Sequence, residues 1–351
     1  MSAPITAPRP DVGHPAAAAA AATAAIAKEA KHYIAHRPPY PESMWELWTN
    51  YHQGPLVSVH DIGAGSGNGA EGLLRHASPP PKHVVLTEPQ EVNIKDCVAR
   101  LSSSSSRARF PGTSFAYRQC RGEDPWSPPA GLEDHCHHVD LVMACESLHW
   151  TALEPTLDNI AASLREGGTF AAVLYGPFPA ITNSAPAHAA FKAFLADHAA
   201  RLLRRGWMNE DWKRAARQMF HGMECVGLRD EVWEDVKRIA VNCGRDGWYA
   251  RDYEPLEGTA DPVGHLGACE RVALDDSEDW RLSASVEWLK QSLASMRFGF
   301  TEESWASPHW RAIEDEVGAD GALDLEWQVQ MILARRRGRD GGSQDGVVRC
   351  S

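Results

Sequence analysis

The chain has 351 residues, 43% of them hydrophobic, enough for one large α/β domain with an insertion or for two domains. A formal charge of −12 at pH 7 argues against a nucleic-acid partner, which needs a clustered basic surface, and its simplest reading is solubility. Eight scattered cysteines with no C-x-x-C pair fit a reduced intracellular protein better than a disulfide framework, and no apolar run reaches the roughly 18 residues of a membrane span.

Residues 1–15 carry four prolines and little hydrophobicity, and read as disordered. Residues 16–52 predict a helical lid. Its first part, 16–36, is Ala-rich, and alanine has the best helix propensity. The helix stops at Arg37-Pro38-Pro39-Tyr40-Pro41, where proline removes donors and restricts the residue before it. A second helix, 42–51, presents Met44, Trp45, Leu47, Trp48 and Tyr51. The Ala run at 16–25 is too weakly apolar for a secretory signal and lacks its charged leading segment, so a cytoplasmic location is expected.

A β-branched strand at 56–61 ends in Asp61 and is followed by Gly63, Gly65 and Gly67 and then by a helix at 68–76. Glycine permits φ > 0 and lets a ligand lie against bare backbone, while the N–H groups of the following helix face it. Alone the turn is a weak signal, because dinucleotide folds open the same way. A second strand, 83–88, ends in Glu88, some 21 residues beyond Gly67. Its two carboxylate oxygens can accept both hydroxyls of a ribose; the other reading is a helix cap or a solvated loop acid.

A helix at 91–101, a serine-rich loop at 102–106 and an alternating strand at 114–119 follow. Glu123 and Asp124 come at the end of that strand, just before Trp126. The nearly continuous apolar run 139–145 suits a central parallel strand buried on both faces, and ends at Glu146-Ser147-Leu148-His149-Trp150. A helix at 156–164, a glycine stop and a fifth strand at 169–175 complete a core at 53–176. Five strands with intervening helices predict a doubly wound, mostly parallel sheet.

Residues 177–320 form a Trp-rich, largely helical insertion that holds eight of the thirteen tryptophans. Helices are expected at 187–203, 209–219 and 283–294, with a helix closing at 314–317, a strand at 233–241 and loop over 244–279. Core packing explains most of the tryptophans; an apolar pocket wall is the alternative for the rest. A final strand within 321–337, centred on 325–334, alternates at first and suits an edge or antiparallel position; the tail 338–351 reads as mobile. His135-Cys136-His137-His138 has no usable ligand spacing, so no metal site is expected.

Tyr33, Arg37-Pro38-Pro39-Tyr40-Pro41, Asp61 to Gly67, Glu88, Gly122-Glu123-Asp124, Leu148-His149-Trp150 and Leu164 to Gly168, in this order, resemble a class I S-adenosylmethionine-dependent methyltransferase of the trans-aconitate methyltransferase-like small-molecule branch found in fungi. The resemblance covers residues 30–175 well and 230–240 and 325–334 thinly. It implies a Rossmann-like fold with an antiparallel last strand, and S-adenosylmethionine as cofactor. It implies that Asp61, Gly63, Ala64 and Gly65 lie by the methionine part of the cofactor. Glu88, with Pro89 beside it, would hold the ribose, and Glu123 or Asp124 the adenine. Cys145 and Glu146 would border the sulfonium, and His149, Trp150, Tyr33 and Arg37 the acceptor. The family often has Cys at the place of Ala64 and Thr at that of Ser66; both exchanges are small for small.

The expected activity is methyl transfer to an oxygen, carboxylate or hydroxyl, of a small organic acid or secondary metabolite. A hydroxyl would need a base, for which His149 is the candidate by its ordinary pKa; a carboxylate would need Arg or Lys donors instead. Alternatives are an enzyme that keeps the cofactor pocket for a cyclisation or dehydration, and a non-catalytic partner subunit. The late acids and the His-Trp pair weigh against a dinucleotide oxidoreductase. The expected partner is a small-molecule acceptor, without nucleic acid or membrane, in a monomer or homodimer.

Overall fold

The computed structural model describes residues 35–128, 138–206, 209–244, 267–275, 277–296, 298–318 and 321–338. The segment 1–15, nearly all of the Ala-rich helix, Tyr33, His135 to His137 and the tail from 339 lie outside the described residues.

Helix α1 (Glu42–Tyr51) follows Pro41 and buries Met44, Trp45, Trp48 and Tyr51. Trp45 lies so close to the next helix that a Cβ on Gly72 would sit 2.4 Å from its Cζ2, so glycine there is a packing requirement. Strand β1 (Ser58–Ile62), α2 (Asn68–His76), β2 (His83–Thr87), α3 (Glu91–Leu101), α4 (Ser104–Arg109), β3 (Ser114–Arg118), β4 (Val139–Cys145), α5 (Leu153–Ser163) and β5 (Leu164–Tyr175) form the alternating half. The serine run expected as loop is in part helix, because the Ser103 hydroxyl caps α4 at the Ser106 N–H. The glycine stop before the fifth strand is absorbed into β5: Gly167 takes φ 72, Arg165 bonds Asp140 on β4 at 2.5 Å, and the register against β4 shifts between Val139 and Leu141.

Beyond β5 come β6 (Ala180–Ile181), α6 (Ala185–Arg204), α7 (Glu210–Phe220), β7 (Trp233–Val241), β8 (Glu270–Leu274), β9 (Arg281–Ser285), α8 (Val286–Ser295), α9 (Glu302–Trp305), α10 (Pro308–Val317), β10 (Ala322–Glu326) and β11 (Val329–Arg336). The start of the helix expected at 283 is strand β9, which pairs with β10, and Ser285 then caps α8. Part of the expected loop 244–279 is strand β8. The expected final strand breaks at Trp327 into β10 and β11.

The main sheet has the order β3-β2-β1-β4-β5-β11-β7-β8, and a small antiparallel sheet has the order β6-β10-β9. Strands β1 to β5 are mutually parallel, and β11 is antiparallel to both β5 and β7. β11 is therefore an interior strand rather than an edge, in keeping with its five consecutive buried residues from Met331 to Arg335. Trp233, Trp280, Trp310 and Trp327 are buried, each stabilising the core by roughly 1.5–3 kcal/mol or more. Of the insertion's described tryptophans, Trp212 is the one that reaches the cleft described below.

Candidate cofactor and acceptor site

Parallel pairing brings the ends of β1, β2 and β4 to one edge of the sheet, with Ile62 opposite Thr87 and Asp61 opposite Met143. The crevice beyond the carboxyl ends of such strands is where open α/β sheets take ligands. Gly63, Gly65 and Gly67 all lie at positive φ (67, 55 and 87°), which favours glycine. At Gly63 a Cβ would come within 2.5 Å of the Ser147 Cβ, and the Ser147 hydroxyl donates to the Ile62 carbonyl at 2.6 Å. At Gly65 a Cβ would meet nothing within 4 Å: this is the bare backbone a ligand can approach. The Ala64 N–H donates to the Thr87 carbonyl at 2.9 Å, closing the turn onto β2.

Glu88 is buried. Its Oε2 accepts the Gly65 N–H at 3.1 Å, and its Oε1 accepts from Gln90 N and Asn93 Nδ2 at 3.0 and 3.1 Å. The carboxylate is thus fixed in orientation while Oε2 retains acceptor capacity. Pro89 is exposed beside it, and its carbonyl accepts from Gln119 Nε2 at 3.1 Å. Asp61 is buried, with Oδ2 accepting the Ala70 N–H at 3.2 Å and Oδ1 without a hydrogen-bond partner. Burial pushes its carboxyl up to about 7 against the pull of the Ala70 N–H, and the nearby Glu88 adds to the rise. The Cys145 thiol, beside Asp61 and Gly69, is raised well above its usual range by burial and by the charges of Asp61 and Glu146, which makes it inert.

Glu123 and Asp124 differ in use. Asp124 is exposed, and its Oδ2 accepts the Arg121 N–H at 2.8 Å, closing its own turn. Glu123 is half-buried, 3.8 Å from Arg121. Trp126 packs over buried His60, with ring centroids 4.6 Å apart.

The second half of the site is a cleft of about 530 Å³, open to solvent and lined by Arg37, Glu146, His149, Trp150, Tyr175, Pro177, Trp212, Ala215, Ala216, Met219, Met296 and Phe298. Glu146 takes φ 57, a strained backbone for a residue with a Cβ. Its Oε1 accepts the Tyr175 N–H at 2.5 Å. Burial pushes the Glu146 carboxyl up to about 8, opposed by that bond and by Arg37. His149 is buried, and its Nδ1 has no hydrogen-bond partner. The near-neutral titration expected of His149 does not hold in this setting: burial first, and the Arg37 charge second, lower it to about 3, so the ring is neutral at physiological pH. Trp150, 43% exposed, stands at the rim edge-on to Trp212 at 4.7 Å. Arg37 donates to the Ser295 carbonyl at 3.4 Å, joining the lid segment to α8.

The structure therefore gathers Asp61, Gly63, Ala64, Gly65, Glu88, Pro89, Cys145 and Glu146 along one edge, and Arg37, His149 and Trp150 around the adjoining cleft. Sequence reasoning missed Tyr175, Trp212, Ala215, Ala216, Met219, Met296 and Phe298. The signal for four of them was there: Trp212, Ala215, Ala216 and Met219 recur at helical spacing on one face of α7. Asn93 and Gln90, which hold Glu88, carried no such signal.

An oriented carboxylate beside bare glycine backbone suits a ribose, and a buried, half-bonded carboxyl a few residues away suits a cation. That combination fits S-adenosylmethionine, whose methionine end carries both an ammonium and a sulfonium. With a sheet in which an antiparallel strand is inserted between two strands of the other direction, the fold and site define a class I S-adenosylmethionine-dependent methyltransferase. Residues 60–170 match the family described as "Methyltransferase domain". A "Methyltransferase" of Claviceps purpurea is 26% identical over 321 residues, 87% of this chain and 90% of its own. "Methyltransferase gedG" of Aspergillus terreus is 24% identical over 311 residues, 87% of this chain and 91% of its own. Among solved structures, a putative type II methyltransferase from Anaeromyxobacter dehalogenans superposes with a TM-score of 0.44 at 17% identity, over 86% of this chain and 99% of its own. The chain is an S-adenosylmethionine-dependent methyltransferase, similar along most of its length to methyltransferases of fungi. Among the described residues no helix is long and apolar enough to cross a membrane.

Proposed function

We propose that this enzyme methylates a hydroxyl oxygen on a small, flat aromatic metabolite. The cofactor, when bound, supplies a methyl group that carries its own leaving group, so the protein's task is placement and proton removal. Asp61 and the Gly63-Ala64-Gly65 backbone hold the methionine end, Glu88 with Pro89 the ribose, and Glu123 the adenine side. Cys145 and Glu146 close the floor beneath the reacting centre. Trp150, Trp212, Phe298 and Tyr175 supply aromatic walls, with the softer Met219 and Met296 between them.

The observation that carries the choice of acceptor is Glu146 in the cleft. Its Oε1 is committed to the Tyr175 N–H, and Oε2 is left to meet the acceptor. In its ionised form a carboxyl in that place takes a proton from a hydroxyl and repels a substrate carboxylate. A carboxyl raised to about 8 is better matched to a phenolic proton than an imidazole lowered to about 3. His149 then orients the acceptor through a hydrogen bond, and Arg37 stabilises the oxyanion that forms.

The test is incubation with labelled S-adenosylmethionine and matched aromatic probes, 2-naphthol against 2-naphthoic acid, reading both labelled product and S-adenosylhomocysteine. Methyl ether from the phenol with stoichiometric S-adenosylhomocysteine is expected. Ester from the acid alone would overturn the hydroxyl assignment and restore the organic-acid acceptor.

A further inference from the structure

Three positive-φ glycines make the cofactor turn flexible by nature, since no side chain of those residues limits the backbone. Its shape is set by hydrogen bonds, and one of these comes from a cation on a different element. Arg100, in the last turn of α3, donates through Nη1 to the Ser66 carbonyl at 2.9 Å and to Asn68 Oδ1 at 2.5 Å. Its Nη2 reaches the carboxylate of Glu71, in the first turn of α2. Arg75 and Arg109 also pair with Glu71, whose side chain is only 13% exposed, so the anchor is itself held from three sides.

Ser66 stands between Gly65 and Gly67, both left-handed. Fixing its carbonyl fixes the Ser66–Gly67 peptide, whose N–H donates to the Ala64 carbonyl at 2.8 Å. That bond closes the turn on the Ala64–Gly65 peptide, whose N–H donates to Glu88 Oε2 at 3.1 Å. We propose that Arg100 is a positioning residue for cofactor binding: by clamping Ser66, Asn68 and Glu71 it holds the glycine turn in the shape that orients Glu88. The planar guanidinium suits this role, because its fork serves acceptors on two sides at fixed angles; a lysine ammonium is a point charge and cannot.

The test is calorimetric titration with S-adenosylhomocysteine of wild type, Arg100→Ala, Arg100→Lys and Arg109→Ala, with a melting temperature for each. Arg100→Ala is expected to weaken binding about 10-fold or more, the usual consequence of losing a charge-assisted hydrogen bond that orders a site. Arg100→Lys keeps a charge near Glu71 and is expected to recover melting temperature more than affinity. Arg109→Ala removes a guanidinium from Glu71 without touching the turn and is expected to bind within about twofold of wild type. Methylguanidinium added to Arg100→Ala is expected to restore part of the lost affinity, which a merely destabilised fold would not show. Wild-type affinity in Arg100→Ala would overturn the proposal, and so would an Arg109→Ala loss as large as that of Arg100→Ala. Should Arg100→Ala fail to fold, Arg100→Lys decides: full recovery of both affinity and melting temperature overturns the positioning role.

Discussion

Cofactor affinity is expected to depend on pH through Asp61, with a sign opposite to that of the protein's own stability. In the unliganded protein the Asp61 carboxyl titrates near 7, raised by burial and by Glu88. A cationic methionine end binds the ionised form. With a pKa of about 7, the ionised fraction falls from about nine-tenths at pH 8 to about one-tenth at pH 6, so affinity weakens roughly tenfold, or about 1.4 kcal/mol. Stability runs the other way: a carboxyl whose folded pKa lies above its unfolded value binds more protons when folded. The unliganded protein therefore loses stability as pH rises from the ordinary Asp range through about 7. Saturating ligand should flatten that slope, because it holds Asp61 ionised in the folded state. The groups facing Asp61 are the Ala70 N–H, Glu88 and the thiols of Cys97 and Cys145, and burial raises both thiols clear of the assayed range. The assay is calorimetric titration with S-adenosylhomocysteine at half-unit steps from pH 5.5 to 8, paired with melting curves with and without ligand. Asp61→Asn should bind more weakly and with a flat profile. A wild-type affinity that stays constant from pH 6 to 8 would refute the reasoning.

Two further outcomes separate packing from binding. Gly63→Ala places a Cβ 2.5 Å from the Ser147 Cβ on a left-handed backbone, so it should lower stability by about 1–3 kcal/mol as well as abolish binding, whereas Gly65→Ala, with nothing within 4 Å, should bind S-adenosylhomocysteine poorly at a stability loss of about 1 kcal/mol; chemical denaturation beside calorimetry distinguishes the two. Trp150→Ala, at a 43% exposed rim position, should leave stability within about 0.5 kcal/mol yet raise the KM of the acceptor, and an unchanged KM would remove Trp150 from the acceptor wall.

The strand, turn and helix of the candidate cofactor site were legible because their signals are local. They sit within twelve residues, 57–68, and Glu88 follows the end of the next strand. The acceptor half was not, because its residues meet only through long-range packing. Met296 and Phe298 come to the same wall as Trp212 from far along the chain, and no period links them. The interior place of β11 was hidden for a related reason. Its first residues alternate only because Leu323 and Leu325 belong to a strand of a different sheet, β10, and the buried continuous run begins after the break at Trp327. Reading the two strands as one averaged an alternating pattern with a continuous one.

Sequence also could not reveal how burial divides the ionisable groups of the cleft. His149 and Glu146 sit three positions apart after the same strand, and by ordinary pKa the imidazole is the better base. Burial disfavours the charged form of each, which means opposite things: it takes the proton from the imidazole and leaves it on the carboxyl. Arg37 adds a positive charge near both, which pulls each one downward. For Glu146 that pull works against burial and returns the carboxyl toward ionisation; for His149 it works with burial. The same guanidinium therefore favours the ionised carboxylate as proton acceptor and the neutral imidazole as hydrogen-bonding partner at once. Removing it should reveal the coupling: in Arg37→Gln, the acid limb of a pH–rate profile should move upward as Glu146 becomes harder to ionise. If His149 were the base, the loss of the same charge would move that limb upward by making the imidazole easier to protonate. Glu146→Gln resolves the two cases, since it abolishes the limb only if the carboxylate accepts the proton.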